Sequence, residues 1–277
     1  MSMRISRPEY LEQLIADWDM DLIKVVTGIR RCDKSSLLEL YRRYLLESGV
    51  PEENIIFMNL ESLRWRDLTD YLSFYDYVCS QIPKDGITYL IFDELQAVEH
   101  WEKAVESFRL DCHVDIYITG SNAFLLSSEY STLLSGRYVE IRMLPLSCRE
   151  FLTFYEFESG TTQEEKFQKY LQFGGMPVLK DYQFNEARAN QVLEGIYSTV
   201  VLKDIAMRNS QVDQNTLQKL VRFLCFNIGS STSPNRIGGV LSSEGGDSEG
   251  EETGGKDRRS IYHHAAQGLS LLSGRVV

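Results

Sequence analysis

Apolar residues fall in two rhythms along this chain. Short, nearly unbroken apolar runs recur at Leu22–Val26, Asn54–Asn59 (NIIFMN), Thr88–Glu94 (TYLIFDE), Asp115–Asn122 (DIYITGSN) and Tyr138–Met143 (YVEIRM). Such runs predict buried strands. Between them apolar residues return every three or four positions, in Arg7–Trp18, Lys34–Glu47, Leu68–Cys79, Val98–Arg109 and Leu125–Leu134. That spacing predicts amphipathic helices. The stripe Tyr71, Leu72, Phe74, Tyr75 and Val78 is read as core. Strands alternating with helices predict a doubly wound parallel α/β sheet. After Pro145 only the helical rhythm remains, over Ser147–Phe157, Gln163–Phe173, Asn185–Arg208 and Asp213–Asn227, with Gly174-Gly175-Met176-Pro177 as a break. Three parts are expected: an α/β domain over 1–147, a helical lid or partner-binding part over 148–240, and a tail over 241–277.

The first strand leads into VVTGIRRCDKSSLL, residues Val25–Leu38. This is strand, polar loop, helix. In G-x-x-x-x-G-K-[ST] a nest of backbone N–H groups cradles phosphates, Lys reaches the β/γ-phosphates and Ser/Thr holds Mg²⁺. Gly28, Lys34 and Ser35 fit that pattern, but Asp33 stands where its second glycine belongs. Asp accepts the left-handed backbone better than most residues. Its carboxylate is another matter. At ~5 Å and an effective dielectric of ~20, each like-charge pair with a phosphate costs roughly 3–4 kcal/mol before screening. Weakened or abolished nucleotide binding is therefore expected. Cys32, inside the loop, is read as a filler position rather than a reactive thiol.

The third run ends in Asp93-Glu94. A buried strand can deliver two carboxylates beyond its C-terminal end, where open parallel sheets bind ligands. In P-loop NTPases the Asp of such a strand holds Mg²⁺ and a following Glu orients and deprotonates the attacking water. One metal would need both the Ser35 hydroxyl and the Asp93 carboxylate, so the loop and this strand support each other. Ser121 and Asn122 end the fourth run; they would face a γ-phosphate or its water, or else cap the next helix. Arg137 stands just before the fifth run, placed to reach a nucleotide of its own subunit or a neighbour's, or to serve as a surface charge.

Composition narrows the class. The 277 residues carry a net charge of −11, and the pI is about 5.0. That balance argues against a non-specific nucleic-acid or anionic-membrane binder. No signal-peptide core and no membrane-spanning apolar run is evident, which predicts a cytoplasmic protein. Five cysteines, without C-x-x-C or Cys/His ligand spacing, read as reduced thiols.

Taken together, GIRRCDKSSLL, IFDELQAVEHWEKAVESFR, ITGSNAFLL, LLSGRYVEIRMLPLS and REFL, then FGGMP, YSTVVLKDI and NIGSSTSPNRI, resemble a known family. It is the bacterial and archaeal AAA+-type P-loop ATPases with a G-x-R-R-x-G-K-S-T loop and a C-terminal domain of unknown function. The resemblance covers residues 5–240 and implies an ATP-binding, ATP-hydrolysing protein with Mg²⁺. It assigns Gly28, Arg31, Asp33, Lys34, Ser35 and Ser36 to the nucleotide loop, Asp93 to the metal and Glu94 to the base. Ser121-Asn122 takes the γ-phosphate-sensing place and Arg137 that of an arginine finger. It leaves the physiological substrate open. A protein partner on the helical part and self-association are both compatible with it.

Two departures stand out. One is Asp33. The other is the tail from about Gly245, GGDSEGEETGGKDRRSIYHHAAQGLSLLSGRVV, rich in Gly, Ser and charge. With permitted codons, the stretch from Ile261 reads one nucleotide over as SIIMLLKAYLFYRVV, the amphipathic segment that the family would have there. A frameshift near residues 243–246 and a truncated product are the expectation; the other reading is a genuine disordered tail. The second functional reading is thus an impaired pseudo-ATPase or interaction module.

Overall fold

The computed structural model of the chain describes residues 7–121, 134, 137–199, 214–227, 230–233 and 236–239. The five apolar runs are strands: β1 (Ile23–Gly28), β2 (Ile55–Asn59), β3 (Thr88–Asp93), β4 (Val114–Ser121) and β5 (Tyr138–Met143). All pair in parallel, in the order β2-β3-β4-β1-β5. Parallel neighbours need crossovers. Here α2 (Lys34–Glu47), α3 (Tyr71–Gln81) and α4 (Trp101–Asp111) supply three of them, and α1 (Pro8–Ala16) precedes the sheet. Pro8 sits in the first turn of α1, where its missing N–H costs nothing. Asp70 caps α3 by accepting from the Leu72 and Ser73 amides. The helix expected at Leu125–Leu134 lies outside the described residues, except for Leu134, a buried turn residue.

Side chains alternate across the sheet, so each strand feeds two cores. Val25, Leu90, Phe92 and Ile118 face α3 and α4 with Phe74, Val78, Val105 and Phe108. Val26, Ile91, Tyr117 and Ile141 face α1 and α2 with Leu14, Leu37, Leu38 and Tyr41. Helices on both faces explain why the strands read as unbroken apolar runs. The α3 stripe is core at Phe74 and Val78, but Leu72 is exposed, because its position turns away from the sheet.

One polar cluster is sunk in the second core, at the end where the strands begin. Lys24 Nζ lies 2.5 Å from Asp115 Oδ1 and donates to the Met20 carbonyl at 2.7 Å. The Tyr117 hydroxyl donates to Asp115 Oδ2 at 2.8 Å and meets the Tyr41 hydroxyl at 2.5 Å. Burial pushes the Asp115 carboxyl up, and the adjacent Lys24 ammonium pulls it back.

The helical rhythm after Pro145 gives α5 (Cys148–Phe154), α6 (Gln163–Phe173), α7 (Glu186–Ser198) and α8 (Gln214–Phe226). Ser147 with Glu150, and Thr162 with Glu165, form reciprocal capping boxes that start α5 and α6. Gly174, at φ 72°, ends α6 in a backbone that a Cβ would strain. Gly175 allows a closer approach: a Cβ there would lie 2.2 Å from the Leu146 carbonyl oxygen. A short 3₁₀ stretch, Pro177–Tyr182, follows the glycine break.

The chain divides into two compact units, Met1–Ala189 and Asn190–Val277. The 147/148 boundary expected from sequence falls inside the first, where the Leu146 amide donates to the Gly175 carbonyl at 2.7 Å. In the second, Leu220, Val221 and Ile237 form a small core. Residues 200–213 and the tail from 240 on, including the predicted frameshift, lie outside the described residues.

Candidate functional site

β1 ends at Gly28, between β4 and β5. A Cβ at Gly28 would lie 2.4 Å from the Met143 carbonyl oxygen and 2.8 Å from Cys32 Sγ, so only glycine lets the chain turn there. The loop then tucks Cys32 inward, fully buried, with its thiol against the Met143 carbonyl at 3.7 Å. Burial pushes that thiol up. Cys32 is thus a packing residue of the loop.

Arg31 and Asp33 flank Cys32 in the left-handed region, at φ 65° and 72°. Asp33 is the residue that precedes α2, and it holds the backbone conformation a glycine would take at low cost. Burial pushes its carboxyl up; Arg7 draws it down, and Asp181 pushes it further up. Arg7 is fully buried and donates from Nη2 to the Leu144 carbonyl at 2.7 Å, with Nε 2.8 Å from Glu150 Oε1. A buried cation therefore stands near the anomalous carboxylate of the loop.

Lys34 opens α2 and turns back over the loop. Its ammonium donates to the Gly28 and Ile29 carbonyls at 3.2 and 3.3 Å and lies 3.9 Å from Glu94 Oε1. Ser35, one residue on, is exposed, and its hydroxyl helps hold the Asp93 carboxyl down. Ser36 is half-buried.

Asp93 ends β3 in a buried position. Its Oδ1 accepts from Thr119 Oγ1 at 2.6 Å and its Oδ2 from Asn59 Nδ2 at 2.7 Å. Burial pushes this carboxyl up, while the hydrogen bonds from Thr119 and Ser35 pull it down. Glu94 follows in the left-handed region at φ 55°, its amide donating to Thr119 Oγ1 at 3.0 Å. Gln96 Nε2 donates to Glu94 Oε2. The hydroxyl of Thr119 thus bridges the two acidic residues.

The structure brings together Gly28, Arg31, Asp33, Lys34, Ser35, Ser36, Asp93 and Glu94. The backbone of Ser121 pairs beside Gly28 on β4. Asn122 lies outside the described residues. Arg137 is not at this end of the sheet. β5 starts beside Ile23 and reaches Gly28 only at Met143, so Arg137 is about 20 Å of strand away from the loop. Its guanidinium pairs with Glu106 on α4. Of the readings the sequence offered for Arg137, this strand direction fits a neighbour's nucleotide or a surface charge better than its own chain's loop.

Sequence reasoning missed Thr119, Asn59 and Arg7. Strand register carried the signal for two of them: Asn59 is paired with Asp93, and Thr119 follows Ile118, the partner of Phe92. For Arg7 no local signal existed, since its partners are 137 and 143 residues away.

An open five-stranded parallel sheet with β1 between β4 and β5, and a Lys-Ser loop facing Asp93-Glu94, is a phosphate-binding architecture. Comparison with known proteins agrees: residues 21–152 match the family model described as an AAA domain. Residues 21–152 are thus similar to an AAA domain and have the P-loop NTPase fold. Residues 164–245 match a second model, Domain of unknown function (DUF8612). An uncharacterized protein of Haemophilus influenzae is 41% identical over 244 residues, covering 87% of this chain and 60% of that protein. Uncharacterized protein MJ1544 of Methanocaldococcus jannaschii is 30% identical over 200 residues, covering 68% of this chain and 43% of its own length. The chain thus spans 60% or less of the length of these two relatives. Among solved structures, the Walker-type ATPase PABY2304 of Pyrococcus abyssi superposes with a TM-score of 0.59 at 15% identity, over 96% of this chain and 89% of that one. That likeness shows the fold. Among the described residues, no helix is long and apolar enough to cross a membrane, and no group of three or more His, Cys, Asp or Glu forms a metal cage.

Proposed function

We propose that this AAA-type domain binds Mg-ATP at the loop after β1 and hydrolyses it, coupling the nucleotide state to its helical part. The carrying observation is Lys34 folded over the loop between Gly28 and Glu94, with Asp93 fixed beside it by Thr119 and Asn59. The loop amides and Lys34 would receive the phosphates, with Arg31 and Ser36 at the rim. The Ser35 hydroxyl and Asp93 carboxylate form a hard-oxygen pair that fits Mg²⁺, which favours a carboxylate plus substrate phosphates over a protein cage. When bound, that ion would screen phosphate charge. Glu94 accepts the proton of the attacking water, held in place by its amide contact to Thr119 and by Gln96. Ser121 and Asn122 take the γ-phosphate side, and Arg137 acts on a neighbouring subunit's nucleotide.

Asp33 supports a second reading, a pseudo-ATPase that binds nucleotide poorly. Arg7 argues for retained binding, because it offsets part of the Asp33 charge. Titration of the purified chain with Mg-ATP by calorimetry and thermal shift tests both. Saturable binding lost in Lys34→Ala, with turnover lost in Glu94→Gln, supports the ATPase. No binding to a folded sample at millimolar nucleotide supports the pseudo-ATPase. On this reading the partners are ATP and a protein docked on the helical part, in the cytoplasm; the acidic charge disfavours nucleic acid.

A further inference from the structure

At the end of the sheet opposite the phosphate loop, α3 and α4 finish side by side. They run in register. Tyr75 stacks on Phe108 with ring centroids 5.1 Å apart, and the Tyr75 hydroxyl donates to Asp111 Oδ2 at 2.9 Å. One helical turn beyond Tyr75 and beyond Phe108 stand Cys79 and Cys112. Cys79 is in the last turn of α3, and Cys112 is the residue that ends α4. The two thiols are neighbours, and after burial the Cys79 thiol is the next influence holding the Cys112 thiol up. Both are free, both are half-buried, and both line one solvent-open cleft with Ile82, Asp111 and His113.

This juxtaposition has no use in the nucleotide chemistry, which lies at the other end of β3 and β4. The aromatic contacts of Phe74, Tyr75 and Phe108 hold α3 to α4, and Cys79 packs against the same core. Two thiols that line one cleft, each one turn past a stacked ring pair, are placed for a disulfide, which forms when the two Cβ atoms come within about 4 Å. In a reducing compartment such pairs serve transient redox chemistry rather than stability. Burial holds the Cys112 thiol up at about 11, which lowers its thiolate fraction and slows its attack on an oxidant.

We infer that Cys79 and Cys112 form a redox-active dithiol, which closes to an intramolecular disulfide by exchange with a low-molecular-weight disulfide such as oxidised glutathione. The thiolate of one cysteine attacks the small disulfide, breaking its S–S bond and releasing one small thiol. The second cysteine then attacks the protein sulfur of the mixed disulfide, forming the Cys79–Cys112 bond and releasing the second small thiol. Two protein thiols are oxidised, one small disulfide is reduced, and the two protons leave on the departing thiols. The product staples the ends of α3 and α4.

The test uses the full chain, fully reduced and then exposed to oxidised glutathione at mildly alkaline pH. Remaining thiols are alkylated and the protein is digested without reductant. The expected result is a linked peptide pair containing Cys79 and Cys112, absent after reduction. In Cys112→Ser, shown folded by circular dichroism, glutathione should be retained on Cys79 instead. Recovery of both cysteines of the parent chain alkylated, or linked only to other cysteines or other molecules, overturns the proposal, and the parent chain decides this without any variant.

Discussion

Among the described residues two lysines are buried, and they stand at opposite ends of the same sheet. Lys24, near the start of β1, has its ammonium 2.5 Å from Asp115 and 2.7 Å from a carbonyl, inside a network that continues through Tyr117 and Tyr41. Lys34, past the end of β1, has two carbonyls at 3.2 and 3.3 Å and a carboxylate only at 3.9 Å. The first charge is matched at contact distance and belongs to the fold. The second is held by long contacts at the mouth of a loop. Equal burial therefore means different things: on the proposed function, closeness of the compensating charge separates a structural lysine from one placed for a ligand.

The largest effect that sharpens this contrast is on stability. Lys24→Met should lower the unfolding free energy by about 3–5 kcal/mol, because it strands Asp115 as a buried, unpaired carboxylate. Urea denaturation measures it. The double variant Lys24→Met with Asp115→Leu should recover most of the loss, since a buried pair replaced by apolar groups is often close to neutral. A single variant within about 1 kcal/mol of the parent would break the comparison.

Lys34→Ala should do the reverse. Hydrogen bonds to a charged ligand group contribute about 1.5–3 kcal/mol, so Mg-ATP affinity should fall roughly 10- to 150-fold. Stability should change by less than about 1 kcal/mol, because only two long carbonyl contacts are lost. Calorimetry and urea melts on one preparation give both numbers. An unfolded Lys34→Ala chain would place Lys34 with Lys24 as a structural residue.

Asp33 tests how far the loop end departs from its pattern. Asp33→Gly removes both a carboxylate near the phosphates and a left-handed non-glycine residue. Affinity for Mg-ATP should rise about tenfold, or ~1.4 kcal/mol, less than the bare Coulomb figure because Arg7 already offsets part of the charge. Stability should rise by about 1 kcal/mol. Asp33→Asn separates the two effects: it should gain affinity without the gain in stability. Equal affinity for all three forms would mean that the Asp33 carboxylate points away from the phosphates.

The two ends were not equally legible in the sequence. Five apolar runs and their helical spacers locate every described strand, because burial on both faces leaves few polar interruptions. The loop end was legible too, since Gly28, Lys34, Ser35, Asp93 and Glu94 are adjacent in sequence or end a strand. The support for that site was not. Thr119 and Asn59 serve Asp93 through strand register, and Arg7 reaches Leu144 and Glu150 through tertiary packing. Lys24 was hidden for the same reason: inside an apolar run it reads as an interruption until its partner on β4 is known. The alternatives for Arg137 stayed open in the sequence because strand direction, not position along the chain, decides which end of the sheet a residue stands at.

Arg137 gives the smallest expected effect. Its pair with Glu106 is largely exposed, with Arg137 at 55% and Glu106 at 28%, so Arg137→Ala should cost at most about 1 kcal/mol of stability. Arg109, the foremost influence holding the Glu106 carboxyl below its usual range, remains as a second partner. Nucleotide affinity of the dilute chain should change by less than about twofold, ~0.4 kcal/mol, because the loop is a strand length away. Turnover measured across a dilution series then carries the information. If Arg137 serves a neighbouring subunit, the variant should match the parent when dilute and fall behind as the parent's specific activity rises with concentration. If the variant is slower by the same factor at every concentration, Arg137 acts within its own chain, and the separation of the two sheet ends fails as an account of it.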